Sequence, residues 1–136
     1  MNNKSLKPVK YWDLPMFAGA GALRSTANDM LIFLPANLEL SDMPLKSAMR
    51  RMRAIRKETE TTNLEIMMGW HLLTYFDSKV VWHNGGTAGF RSFAGLDPVN
   101  KKGVIVLSNT DAETDDIGRH LLVGKYPLKT LDAPGK

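Results

Sequence analysis

"WHNGGTAGF", residues 82–90, sets a histidine and an asparagine directly before two glycines, a threonine and a third glycine. The residues leading into it, 79–83, otherwise read as a β-strand. Glycines weaken strands, and inside one they mark a bulge or a place where a second backbone or a ligand comes close. Taken alone, Asn84-Gly85 is also the strongest short signal for a hairpin turn. The choice between those readings decides whether the stretch merely separates two strands or carries a site.

On either side the period is that of strands. Residues 66–76, 79–83, 90–96 and 104–107 are apolar, β-branched or aromatic runs, separated by Asp77-Ser78, the glycine cluster, and Asp97-Pro98 through Gly103. Connections this short suit antiparallel hairpins, because parallel crossovers need a dozen or more residues. Helices flank the strands. Residues 23–38 open with Ser25-Thr26 and place Asp29 three residues after Thr26, a box-like cap ahead of Met30, Leu31, Phe33 and Leu34. From Pro44, the residues Leu45, Ala48, Met49, Met52 and Ile55 repeat at helical spacing, with Lys46, Arg50, Arg53 and Lys57 on the other side. A last helix fits 114–123, with Thr114 as cap and Asp115 and Asp116 at its positive end. The expected fold is α+β: a small antiparallel sheet of three to four strands with helices packed on it. The expected organisation is a flexible N-terminus at 1–10, a single domain at 11–125 and a flexible tail at 126–136.

Composition narrows the function classes. The 136 residues are 43% hydrophobic, enough for one globular core. Lys and Arg number 18 against 14 Asp and Glu, a net charge of 18 − 14 = +4 that demands no acidic partner. Without cysteine there is no disulfide, thiolate metal site or cysteine nucleophile. His71, in an apolar strand, reads as half-buried packing, and His120 as a surface residue. Two isolated histidines make no metal site. Lys46, Arg50, Arg51, Arg53, Arg56 and Lys57 form a basic run, but with no interleaved aromatics they read as a solvated face rather than a nucleic-acid surface. No window approaches transmembrane length and MNNKSLKPVKYW has no apolar core behind its charges. The sequence as written is therefore expected in the cytoplasm, without nucleic-acid or membrane partners.

The ordered set "AGAGALRSTANDMLIFL" (18–34), "MGWHL" (68–72), "WHNGGTAGFRSFAGLDP" (82–98) and "GVIVLSNT" (103–110) resembles the C-terminal part of the serine β-lactamase and penicillin-binding-protein-like family. The nearest type is that of class C β-lactamases, esterases and D-aminopeptidases. The resemblance covers roughly residues 11–124. It implies a partial β-lactamase/transpeptidase-like fold in which 83–85 stand where the family has its Lys-Thr-Gly-like triplet on the inner edge strand. A bound acyl substrate would lie antiparallel along that strand, and Gly85 and Gly86 would give its backbone clearance. His83, Asn84, Gly85, Gly86 and Thr87 would line the substrate, and the Gly86 N–H would be the strand's donor to the oxyanion hole. No cofactor is implied, and the parent family is often periplasmic or secreted.

The departures matter as much. The place three residues after Ser5, Ser25, Ser41, Ser47, Ser78, Ser92 and Ser108 holds Pro8, Asn28, Pro44, Arg50, Val81, Gly95 and Asp111, so no Ser-x-x-Lys exists in these residues. None of Tyr11, Tyr75 and Tyr126 has asparagine two residues on. The chain therefore reads as the last third of a hydrolase whose nucleophile lies elsewhere, inactive alone. The alternative is a stand-alone, non-catalytic module that keeps the substrate strand. In either case a bare apolar face and an open sheet edge are expected to recruit a second copy or the missing N-terminal part of the parent.

Overall fold

The computed structural model describes residues 7–129. Of the two segments expected to be flexible, residues 1–6 and 130–136 lie outside the described residues. The elements run α1 (Ala18–Gly21), α2 (Ala27–Asn37), α3 (Lys46–Ala54), β1 (Arg56–Glu58), β2 (Leu64–Met67), β3 (His71–Tyr75), β4 (Ser78–Thr87), β5 (Phe90–Asp97), β6 (Lys102–Ser108) and α4 (Asp115–Leu122). All strands pair antiparallel with their chain neighbours in the order β1-β2-β3-β4-β5-β6.

The class is α+β as expected, but the sheet has six strands rather than three to four. Two causes account for the difference. The run 66–76 is broken at Gly69, whose φ of +73° turns the chain back and makes two strands of one. The polar residues after α3 supply the short edge strand β1, which is exposed throughout and so carries no apolar pattern to betray it. A third correction concerns the opening stretch. The glycine cluster does not separate strands: β4 continues through Asn84, Gly85 and Gly86 to Thr87, and the turn falls on Ala88-Gly89.

The sheet is a middle layer. On one face Leu34 and Leu38 of α2 and its following residue join Met67, Trp70, Leu72, Val81 and Leu96. On the other, Leu122 and Val123 meet Val80, Trp82 and Phe93. The alternation of Val80, Val81 and Trp82 between the faces is the period-2 signature of a strand buried on both sides. α2 forms because Thr26 and Asp29 close a reciprocal capping box: Thr26 Oγ1 accepts from the Asp29 N–H at 3.2 Å, and Asp29 Oδ2 accepts from the Thr26 N–H at 3.3 Å. α4 approaches β5 closely at Gly118, where a Cβ would run into the Phe93 ring. Thr114 occupies the cap position of α4, yet its hydroxyl makes no capping bond and is buried without a partner. α3 departs further from expectation, since of its apolar stripe only Met49 is buried.

Candidate active-site strand

β4 is closed at both ends by two-residue turns, Phe76-Asp77 between Tyr75 and Ser78 and Ala88-Gly89 between Thr87 and Phe90. Residues flanking such a turn exchange hydrogen bonds, and along each strand the bonding direction then alternates. Counting forward from Ser78, residues 78, 80 and 82 bond toward β3. Counting back from Thr87, residues 87, 85, 83 and 81 bond toward β5. The two counts agree, and they leave Asn84 and Gly86 with N–H and C=O directed away from β5. β3 starts at His71, opposite Trp82, so no described strand covers that side beyond Trp82. The outer half of β4 is thus an open edge that can hydrogen-bond an extended ligand.

Side chains on this half divide between the faces. Asn84 and Gly86 fall on the α4 face. Asn84 Nδ2 donates to Asp115 Oδ2 at 2.7 Å, and Arg119 Nη2 reaches the same oxygen at 3.3 Å. Burial pushes the Asp115 carboxyl above its ordinary value despite the facing Arg119 and the Asn84 donor. Arg119 in turn lies over the Trp82 ring, 4.0 Å from its centroid. A methyl at Gly86 would meet Arg91 Nη1 at 2.6 Å. Arg91 is held there by Asp111 O at 3.2 Å and Glu113 Oε1 at 3.2 Å. On the opposite face, Gly85 leaves room beside Ser92 Oγ, and the Thr87 methyl faces Gly21 of α1.

His83 is exposed, and its ring lies 5.6 Å from that of His71. His71 also packs 4.8 Å from Trp82, and its Nδ1 is buried without a hydrogen-bond partner. Burial holds the His71 pKa below its ordinary value, with His83 and Arg119 acting in the same direction. His120, expected at the surface, is half-buried and places Nδ1 2.6 Å from Tyr126 O. No His, Asp or Glu cluster able to hold a metal occurs among the described residues. Hollows of about 280 Å³ beside Lys46 and Arg50, and about 350 Å³ beside Phe76 and Lys125, lie away from the outer half of β4, which is an edge rather than a pocket.

The five residues singled out in the sequence therefore stand in a row on one half-strand. Their supports were not read from it. Asp115 and Arg119 form an i, i+4 pair that the sequence displays, but only the fold brings that pair under Asn84.

The fold is a six-stranded antiparallel sheet between helices, with a glycine-bearing strand left open along half its length. The family description "Beta-lactamase" matches residues 2–126, and the chain belongs to that family. A search of curated proteins returned no match.

Proposed function

We propose that this chain is the C-terminal portion of a β-lactamase-like serine hydrolase, contributing the substrate strand and one oxyanion-hole donor to an acyl-enzyme reaction on a β-lactam, an ester or a D-amino-acid peptide. The observation that carries the reading is the open outer half of β4, where the Gly86 N–H points to the uncovered side. A developing oxyanion needs a donor fixed before the reaction, and removing one such donor typically costs about 10²–10³ in rate. Gly86 keeps the ligand's path free of a Cβ, while Asn84, anchored by Asp115, stiffens the edge beside it. His83 replaces the triplet lysine and lines the carboxylate or proton network of the substrate.

With no Ser-x-x-Lys among its residues, the chain is inactive by itself. The test is incubation with a fluorescent penicillin and with a fluorophosphonate, followed by intact-mass measurement. The expected result is no adduct on the folded chain. An adduct on any of its serines would overturn the assignment of the nucleophile to another segment.

A second reading, self-association without catalysis, draws on a different observation. α2 is continuously apolar from Met30 to Ala36, and while Leu34 is buried, Leu31 and Ile32 stand exposed; β6 is in addition an unpaired edge of the sheet. A helix of that kind ordinarily lies between two partners, and an open edge invites strand pairing. Sedimentation velocity at high concentration distinguishes the cases: a dimer or larger species supports self-association, and a single monomeric boundary overturns it.

A further inference from the structure

At the turn that ends β4, on its β5 side, three side chains form a stack that the strand alone does not require. The Tyr11 ring lies 5.5 Å from that of Phe90, nearly parallel at 9°. The Arg24 guanidinium lies over Tyr11, 4.7 Å from the ring centroid. Phe90 is the direct strand partner of Thr87, so the stack adjoins the end of the half-strand on the face where Thr87 meets Gly21.

A purely structural stack would bury its rings, yet Tyr11 is 65% and Phe90 37% exposed. Among the described residues no carboxylate pairs with Arg24. The other arginine nearby, Arg91, is already engaged by Glu113 and the Asp111 carbonyl, and it lies on the opposite face. A guanidinium resting on an aromatic face keeps its fork of N–H donors available, and that fork matches a carboxylate bidentately.

The geometry points to a carboxylate-recognition subsite formed by Arg24, Tyr11 and Phe90, selecting ligands whose extended chain lies along Asn84–Thr87 and ends in an anionic group. The assignment rests on the reading of β4 as the substrate strand. An extended chain advances about 3.3 Å per residue, so one bonded at Gly86 clears Thr87 and reaches the stack within a few residues. Its apolar stem runs along the exposed ring edges, and its terminal carboxylate meets Arg24. Tyr11 orients the guanidinium and Phe90 orients Tyr11.

Two probes test this: glutaryl-Ala-Ala-amide, with a free carboxylate, and its glutaramide analogue, identical but uncharged. Titration followed by ¹⁵N–¹H correlation spectra reads affinity and place together, through the Asn84 and Gly86 amides. The expected result is that both probes shift Gly86, with the charged probe about ten-fold tighter, a preference equivalent to one charge-assisted contact. Arg24→Gln, at an exposed position outside the helices and strands, brings the ratio to about one, and Arg24→Lys restores part of it. If Arg24→Gln keeps the ten-fold preference while Gly86 still shifts, the subsite is overturned and the substrate strand stands. If neither probe shifts Gly86, the substrate strand and the subsite fall together.

Discussion

The two halves of β4 share a backbone and differ in nearly everything else. Residues 78–82 are paired with β3, Val81 and Trp82 with β5 as well, and Val80, Val81 and Trp82 are all buried. Residues 83–87 are paired only with β5, and none is buried. The inner half therefore holds the sheet between its two helix layers, while the outer half leaves one edge open and depends on the inner half for its position. Burial and an open edge fall to adjacent residues of one strand, and substitutions should separate their effects on stability cleanly.

The largest effect is expected next to the inner half. Phe93 is fully buried among Val80, Trp82, Leu122 and Val123, so Phe93→Ala removes a ring from a packed site. It should cost about 3–5 kcal/mol by urea denaturation. Gly118→Ala attacks the same ring from the helix side, forcing α4 away from Phe93. Overpacking of this kind costs about 1–3 kcal/mol. Asn84→Ala tests the seam between the halves. It leaves the half-buried Asp115 carboxylate short of a donor, a loss of about 1–3 kcal/mol. In contrast, Gly86→Ala meets only the end of the Arg91 side chain, which can swing aside, and His83→Ala alters an exposed ring. Each should change stability by less than about 0.5 kcal/mol. A loss comparable to that of Phe93→Ala at either position would erase the distinction between the halves.

A pH titration sharpens the same boundary at His71, where β3 stops. In the unfolded chain His71 binds its proton near 6.5, and burial holds the native value lower. Between those values the unfolded state carries more protons, so stability rises with pH across the window. His71 contributes fully above about 6.5, and that contribution is lost as pH falls through the native value. His71→Gln should flatten this part of the stability curve. An unchanged curve would assign the dependence to another group.

Much of the scaffold was legible in the residues. The capping box of Thr26 and Asp29 is local chemistry, so it survives folding unchanged. The alternation of Val80 to Trp82 and the glycine punctuation at Phe90 likewise announce their strands. What escaped was whatever depends on distant partners. Asn84-Gly85 carries a turn signal, but pairing along Phe93 and Ser92 holds it extended and moves the turn to Ala88-Gly89. β1 lacks an apolar pattern because neither of its faces is buried. In the candidate site, the row His83 to Thr87 could be read directly, whereas Asp115 joins it from a helix 31 residues away in sequence. Arg24 and Tyr11 gave no signal beyond their types until Phe90 was placed beside them.

The tight turns at each end of β4 also constrain how such a sequence can vary. Ten residues separate them, an even number, and it is this parity that brings the outward groups of Asn84 and Gly86 into phase with both neighbouring strands. Loss or gain of one residue within the strand would put the two ends out of step, turning the Gly86 amide inward or exchanging the faces of Val80 and Val81. Only a bulge could absorb the mismatch, and it would leave its extra residue unpaired in the ladder. Length changes along lineages carrying this strand should therefore arrive in pairs, or gather in the loops beyond its turns.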